Sequence, residues 1–89
     1  MKLRYQFTVR EIMGEYAVLP SGESALAFTG MVMTNAVGAT LWTALQEETT
    51  KEALVQRILE EFEVDCQTAE ADVDEFVENL QKLDLLEME

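Results

Sequence analysis

Side chains that commonly carry out acid–base or nucleophilic catalysis are scarce in this sequence. Its 89 residues include no histidine, the commonest general base and transition-metal ligand in proteins. The single cysteine, Cys66, has no second thiol with which to form a disulfide or a thiolate zinc site. Cys66 falls at the start of a predicted helix, and no base accompanies it. We therefore do not expect a cysteine nucleophile.

The sequence also lacks the patterns of a calcium site, a phosphate-binding loop and an acyl carrier protein. Asp72 and Asp74 lack the loop glycine of a calcium site and lie in a segment with helical periodicity. The glycines are too far apart for a phosphate-binding loop, at positions 14, 22, 30 and 38. The only serines are Ser21 and Ser24, in the strand-rich half, whereas the serine of an acyl carrier protein begins a helix. We expect no catalysis, no cofactor and no metal.

The chain is strongly acidic, with 18 acidic residues against 6 basic ones and a net charge of −12. Such a field repels the phosphates of nucleic acids and anionic membrane surfaces, so neither is an expected partner. Two interpretations of the acidity remain open. It could keep a small domain soluble, or it could dock the domain to a basic patch on a partner protein.

The length predicts one domain over residues 1–89. No apolar run approaches the roughly 20 residues of a membrane-spanning helix, and the N-terminus lacks the apolar centre of a signal peptide. Together with the unpaired cysteine, these features predict a cytoplasmic protein.

The first third of the chain has the alternation of β-strands. Over residues 3–12, apolar and polar side chains alternate, which predicts one strand with one buried face. Residues 16–19 predict a second strand after the turn residue Gly14, and residues 31–33 predict a short third strand.

Helical periodicity begins at Asn35, which together with Thr34 is a candidate cap for a first helix. Gly38 within this helix indicates either close packing by another backbone or a tolerated defect. Thr49 or Thr50 is expected to cap a second helix that ends at Val64. Asp65 is expected to cap a third.

The third helix, near residues 66–83, is the longest. Its apolar side chains recur every three or four residues and predict one core-facing stripe: Ala69, Val73, Phe76, Val77, Leu80 and Leu83. Leu85 and Leu86 should fold back onto the core. A small sheet is not stable alone, and short helices are not stable alone either, so we expect the two to pack together. The expected fold is a two-layer α+β domain, with a three-stranded antiparallel sheet followed by three helices.

The order of these segments resembles the PqqD family of peptide-recognition domains, which serve the synthesis of ribosomally made, modified peptides. The resemblance is carried by five segments: residues 33–42 (MTNAVGATLW), 48–54 (ETTKEAL), 62–65 (FEVD), 69–73 (AEADV) and 83–86 (LDLL). It implies a winged-helix-like fold without catalysis. It also implies binding of the leader segment of a precursor peptide, which is then presented to a modifying enzyme, often a radical SAM enzyme.

The resemblance further implies where the leader would bind. In the family the leader adds as an extra strand to the third strand and lies in a groove against the third helix. Here the edge would be Met31, Val32 and Met33, with the methionines as adaptable pocket walls. The helix wall would be drawn from Val73, Phe76, Val77 and Leu80.

Two other functions stay open at this point, and the first uses nearly the same fold. One is a winged-helix DNA-binding regulator, which the acidic third helix with its single Lys82 disfavours. The other is an acidic docking subunit of an enzyme complex that binds no peptide.

Overall fold

A computed structural model of the chain describes residues 1–22 and 32–87. Its elements follow one another as β1 (Lys2–Leu3), β2 (Phe7–Ile12), β3 (Glu15–Pro20), β4 (Val32–Thr34), α1 (Ala36–Ala44), α2 (Lys51–Glu61), α3 (Cys66–Lys82) and β5 (Leu86–Glu87). The strands β2, β3 and β4 form an antiparallel sheet in that order. The predicted α+β arrangement, a three-stranded sheet followed by three helices, is confirmed for the described residues.

A two-residue turn joins β2 to β3. Met13 and Gly14 both have positive φ, 52° and 85°, as the type I′ hairpin turn requires. The turn is flanked by the pair Ile12 and Glu15, and the register continues without a bulge to Phe7 opposite Pro20. This turn fixes which backbone groups of β3 point toward each of its neighbours.

The single predicted strand over residues 3–12 is wrong, because the chain leaves the strand conformation between Leu3 and Phe7. Leu3 belongs to a second, two-stranded sheet, in which it pairs with Leu86 of β5. The N–H of Leu3 also donates to the carbonyl of Leu45 at 2.8 Å. These contacts with remote parts of the chain hold the N-terminus away from the larger sheet. They also confirm that the segment at Leu86 folds back onto the core.

The three described helices begin where capping residues were expected. The side chains of Asn35, Thr50 and Asp65 accept hydrogen bonds from the N–H groups three residues on, at 2.8, 3.1 and 2.7 Å. The helix α2 ends at Glu61 and not at Val64, since its C-cap is already extended.

The core lies between the larger sheet and the three helices. Its fully buried large side chains are Val18, Leu41, Leu45, Leu54, Ile58 and Val73. Trp42 joins the layers, because its ring makes edge contacts with Phe7 of the sheet and Phe76 of α3, at centroid distances of 4.9 and 5.8 Å.

The junction between β4 and α1 is tightly packed at Gly38. A Cβ on this residue would lie 1.9 Å from the Thr34 hydroxyl oxygen and 3.2 Å from the Thr34 Cβ. The close neighbour is therefore a side chain of the preceding strand and not another backbone. Glycine at this position lets the helix start directly beside the end of β4.

Candidate functional site

The strand β4 lies at one edge of the larger sheet. Among the described strands it pairs with β3 alone. Its residues Val32 and Met33 are about half exposed, at 50% and 47%. Met31, which was predicted to belong to this edge, lies outside the described residues.

The backbone of Met33 points away from β3. In a two-residue hairpin the pair next to the turn, here Ile12 and Glu15, exchanges hydrogen bonds, and bonded pairs then alternate along the ladder. The hydrogen bond from the Ser21 N–H to the Gln6 carbonyl, at 3.0 Å, agrees with this alternation at the far end of the ladder.

The same alternation decides how β3 pairs with β4. Tyr16 and Val18 direct their backbone groups toward β4, so their partners Thr34 and Val32 are the hydrogen-bonded residues of that strand. Met33 stands opposite Ala17 in a pair that is not hydrogen-bonded. Its N–H and C=O therefore face the edge that no described strand covers, where they could pair with another extended chain.

The side chains of β4 alternate between the two faces of the sheet. Val32 stands opposite Val18, which belongs to the core, so Val32 lies on the helix side. Met33 stands opposite Ala17 and lies on the other side. That Met33 forms a pocket wall stays a prediction, for peptide side chains on the face away from the helices, and its backbone lies at the predicted edge.

A cleft of about 230 Å³ opens between the first turns of α1 and the middle of α3. It begins where β4 ends, because Asn35 is the second residue after Met33. Its lining residues are Asn35, Val37, Gly38, Leu41, Asp72, Glu75, Phe76 and Asn79. The apolar side chains come from the core side and the polar ones from the rim. The strand edge and this cleft together form the candidate site.

The predicted residues of α3 fall into two groups. Phe76 lines the cleft, and Val77 is half-buried against the core. Val73 and Leu80 are only 0% and 3% exposed, so they lie beneath the surface of the site. They hold Phe76 and Val77 in place and are not themselves accessible to a ligand.

Three polar residues of α3 line the cleft and were not predicted from the sequence: Asp72, Glu75 and Asn79. With Phe76 they occupy positions i, i+3, i+4 and i+7, so they share one face of the helix. That spacing was available in the sequence. Polar residues beside an apolar stripe, however, ordinarily mark a solvated face.

The electrostatic character of the cleft is acidic. Asp72 is half-buried and Glu75 is exposed, and no basic residue is among the lining residues. The nearby Asp74 is different, because its carboxylate pairs with Lys51 Nζ at 2.7 Å and raises the pKa of that lysine. Within residues 1–22 and 32–87, no group of three or more potential ligands could hold a metal ion.

A larger cavity of about 640 Å³ lies along a different face of α1. It is bounded by the sheet residues Val9 and Tyr16 and by Arg57 and Phe62 from the region of α2. None of its lining residues belongs to α3, the helix against which a bound peptide was expected to lie. None of the helices in the described part of the chain has the length and apolar content needed to cross a membrane.

Comparison with known proteins gave two matches. The profile of the family described as coenzyme PQQ synthesis protein D (PqqD) matches residues 10–86. Among solved structures, TbiB1 in complex with the TbiA(beta) leader peptide is similar, with 28% sequence identity and a TM-score of 0.70. That similarity covers 100% of this chain and 98% of the TbiB1 structure's chain. None of the curated protein sequences matches significantly.

Proposed function

This chain belongs to the PqqD family, and on that premise we propose that it is a recognition domain for the leader segment of a ribosomally made precursor peptide. The leader binds by adding a strand to the open edge of β4, and the domain presents it to a modifying enzyme. The solved structure of TbiB1 with a leader peptide supports this proposal, since the two chains are similar over their whole length.

The observation that carries the proposal is the direction of the Met33 backbone. Its N–H and C=O face away from β3, and a half-exposed strand edge of this kind is what strand addition uses. A peptide backbone beside β4 would exchange hydrogen bonds with Met33. Each such bond contributes about 0.5–1.5 kcal/mol net.

Side chains on the helix side of the added strand would supply selectivity. Alternate residues of an extended peptide point to the same face, so every second side chain would turn toward the cleft. It would meet Phe76 in the cleft and Val32 and Val77 beside it, with Val73 and Leu80 as the packed layer beneath. Apolar side chains of the leader fit this surface.

The proposal assigns the chemistry to a partner and not to this domain. The family resemblance implies a domain without catalysis, and it makes a radical SAM enzyme the expected partner. A cytoplasmic location is part of the proposal, because precursor peptides are made there by ribosomes and the single Cys66 is exposed.

Recognition of DNA would require a different surface. In a winged helix the third helix approaches phosphates, and here α3 carries the outward carboxylates Asp74, Glu75 and Glu78. These groups would repel the phosphate backbone. Peptide binding is therefore the function that the charge of α3 favours.

The experiment that tests the proposal compares Met33→Pro with Met33→Leu. Because the Met33 N–H makes no bond to β3, proline removes the donor at the open edge without breaking the ladder, and prolines are tolerated on edge strands. Leucine keeps the donor and a similar volume. Binders would be selected from a library of random decapeptides with the wild-type domain, and their dissociation constants measured by fluorescence anisotropy.

We expect Met33→Pro to lower the affinity for the selected peptides by about tenfold or more, and Met33→Leu to change it by less than about threefold. Far-ultraviolet circular dichroism and urea unfolding of both variants would show that the fold is retained. Equal affinity of the folded proline variant, or a selection that yields no peptide, would refute strand addition at β4.

A further inference from the structure

We propose that the cleft selects a leader segment that carries a lysine or arginine two positions from an apolar residue. This inference rests on the proposed function and specifies the peptide that the site accepts. Strand addition through Met33 is independent of peptide sequence, because it uses backbone groups alone. Discrimination between peptides must therefore come from the cleft.

The cleft presents two carboxylates with no cation beside them. Asp72 and Glu75 stand on its α3 wall, and its lining residues include neither lysine nor arginine. The two amides of the lining, Asn35 and Asn79, are uncharged, and the Asn35 side-chain oxygen already accepts the Gly38 N–H at 2.8 Å. A cationic side chain entering the cleft would therefore meet unopposed negative charge.

No ion pair among the described residues neutralises this charge. In the described part of the chain, the lysine and arginine side chains that form ion pairs do so with other carboxylates: Lys51 with Asp74, Arg4 with Asp84 and Arg57 with Glu61. Asp74 precedes Glu75 directly but points its charge to Lys51. Neither Asp72 nor Glu75 is in any of these ion pairs, so the α3 wall of the cleft keeps both negative charges.

The apolar side chain of Phe76 lies one helical turn from Asp72, and Glu75 lies between them in sequence on the same face of α3. Phe76 follows Asp72 by four residues, a rise of about 6 Å along α3. Alternate residues of an added strand are about 6.7 Å apart and point to the same face. A peptide strand running along α3 would therefore place an apolar side chain on Phe76 and Val37 when a cation two positions away reaches Asp72 and Glu75.

The test uses the random decapeptide library on four forms of the domain. The wild type is compared with the double variant Asp72→Asn/Glu75→Gln, which keeps shape and hydrogen-bonding capacity but removes both charges. Glu70→Gln/Glu78→Gln is the matched control, because it removes two charges from the same helix at positions that do not line the cleft. Met33→Pro reports whether the selected peptides bind by strand addition.

We expect wild type and control to enrich lysine or arginine at one position, with an apolar residue two positions away. The cleft variant should keep the apolar preference and lose the cationic one. For a selected cationic peptide its affinity should fall about three- to tenfold, and that difference should shrink at high salt.

The outcomes separate this inference from the proposed function. Peptides that bind through β4 without a cationic preference, or a preference that survives in the cleft variant, would overturn the inference and leave strand addition intact. An equal loss in the control variant would also overturn it, since the whole acidic surface would then be responsible. If the wild type enriches no peptide, the proposed function fails and the inference fails with it.

Discussion

The helix-packed core and the β4 edge differ in how completely their side chains are buried and their backbone groups are hydrogen-bonded. Leu54, Ile58 and Val73 are fully buried between elements. At the edge, Val32 and Met33 keep about half of their surface, and the Met33 backbone has an outward-facing donor and acceptor. The difference predicts that stability and recognition are carried by separate parts of a very small domain.

The helix α3 belongs to both parts. One face packs Val73 and Leu80 into the core, while the neighbouring face presents Asp72 and Phe76 to the cleft. Phe76 also contacts Trp42, so the cleft floor is continuous with the core. The core thus supports the candidate site, and changes in the core should affect binding only through loss of the folded state.

The largest effect is expected from a core truncation, with an edge truncation as its counterpart. Ile58→Ala should lower the free energy of unfolding by about 2–5 kcal/mol, because it leaves a cavity among fully buried side chains. Val32→Ala removes less buried surface and should cost below about 1 kcal/mol. Urea unfolding followed by circular dichroism measures both.

Peptide affinity should show the reverse order. Under conditions where both variants are folded, Val32→Ala should weaken a selected decapeptide more than Ile58→Ala does. An Ile58→Ala protein that is fully folded yet unable to bind would contradict the separation of core and edge.

Sequence reasoning predicted those parts of the fold that depend on local chemistry. The caps Asn35, Thr50 and Asp65 and the alternation along β2 are properties of neighbouring residues, and the structure confirms them. The break after Leu3 was missed because it arises from contacts with Leu45 and Leu86, far along the chain.

The candidate site was predictable to a lesser degree. Phe76 has the periodicity of the core stripe, and its place in the candidate site appears only once the cleft between α1 and α3 is seen. Asp72 and Asn79 have the pattern of a solvated face until α1 packs beside them. The Met13–Gly14 turn sets the register between β2 and β3, and β3 in turn pairs with β4. The outward direction of the Met33 backbone depends on both pairings.

An intermediate effect is expected at Gly38, where the core joins the edge. Alanine there improves helix propensity by about 1 kcal/mol, but its Cβ would collide with the Thr34 side chain. Overpacking of this kind costs about 1–3 kcal/mol, so Gly38→Ala should be destabilising by about 1 kcal/mol net. It should also weaken peptide binding, since relief of the contact moves the end of β4.

The double variant Gly38→Ala/Thr34→Ala provides the control for this contact. Removing the Thr34 hydroxyl relieves the closest approach, so a double-mutant cycle of unfolding free energies should show a favourable coupling between the two changes. Additive effects, or a Gly38→Ala protein more stable than wild type, would show that the junction is not limited by this contact.

The smallest effect is expected at the cap of α3, which lies on the core side of the comparison. The Asp65 carboxylate accepts the Thr68 N–H at 2.7 Å, and hydrogen bonds from the Thr68 backbone and then from its side chain lower the pKa of Asp65 from the ordinary value of 3.8. Because the folded pKa lies below the unfolded one, the ionised cap stabilises the fold above pH 3.8. That contribution is lost as the pH falls through the lowered folded pKa.

Asparagine also caps helices but does not titrate, so Asp65→Asn isolates this contribution. Removing any one of the 18 acidic residues also relieves some repulsion in a chain of charge −12, and Glu63→Gln measures that general effect. Relative to Glu63→Gln, the Asp65→Asn protein should be less stable toward urea at pH 7, and the gap should close on acidification below pH 3.8. Its peptide affinity at pH 7 should equal that of the control, because the cap lies away from the cleft. A stability gap that does not change with pH would mean that the charge of Asp65 contributes nothing to the cap.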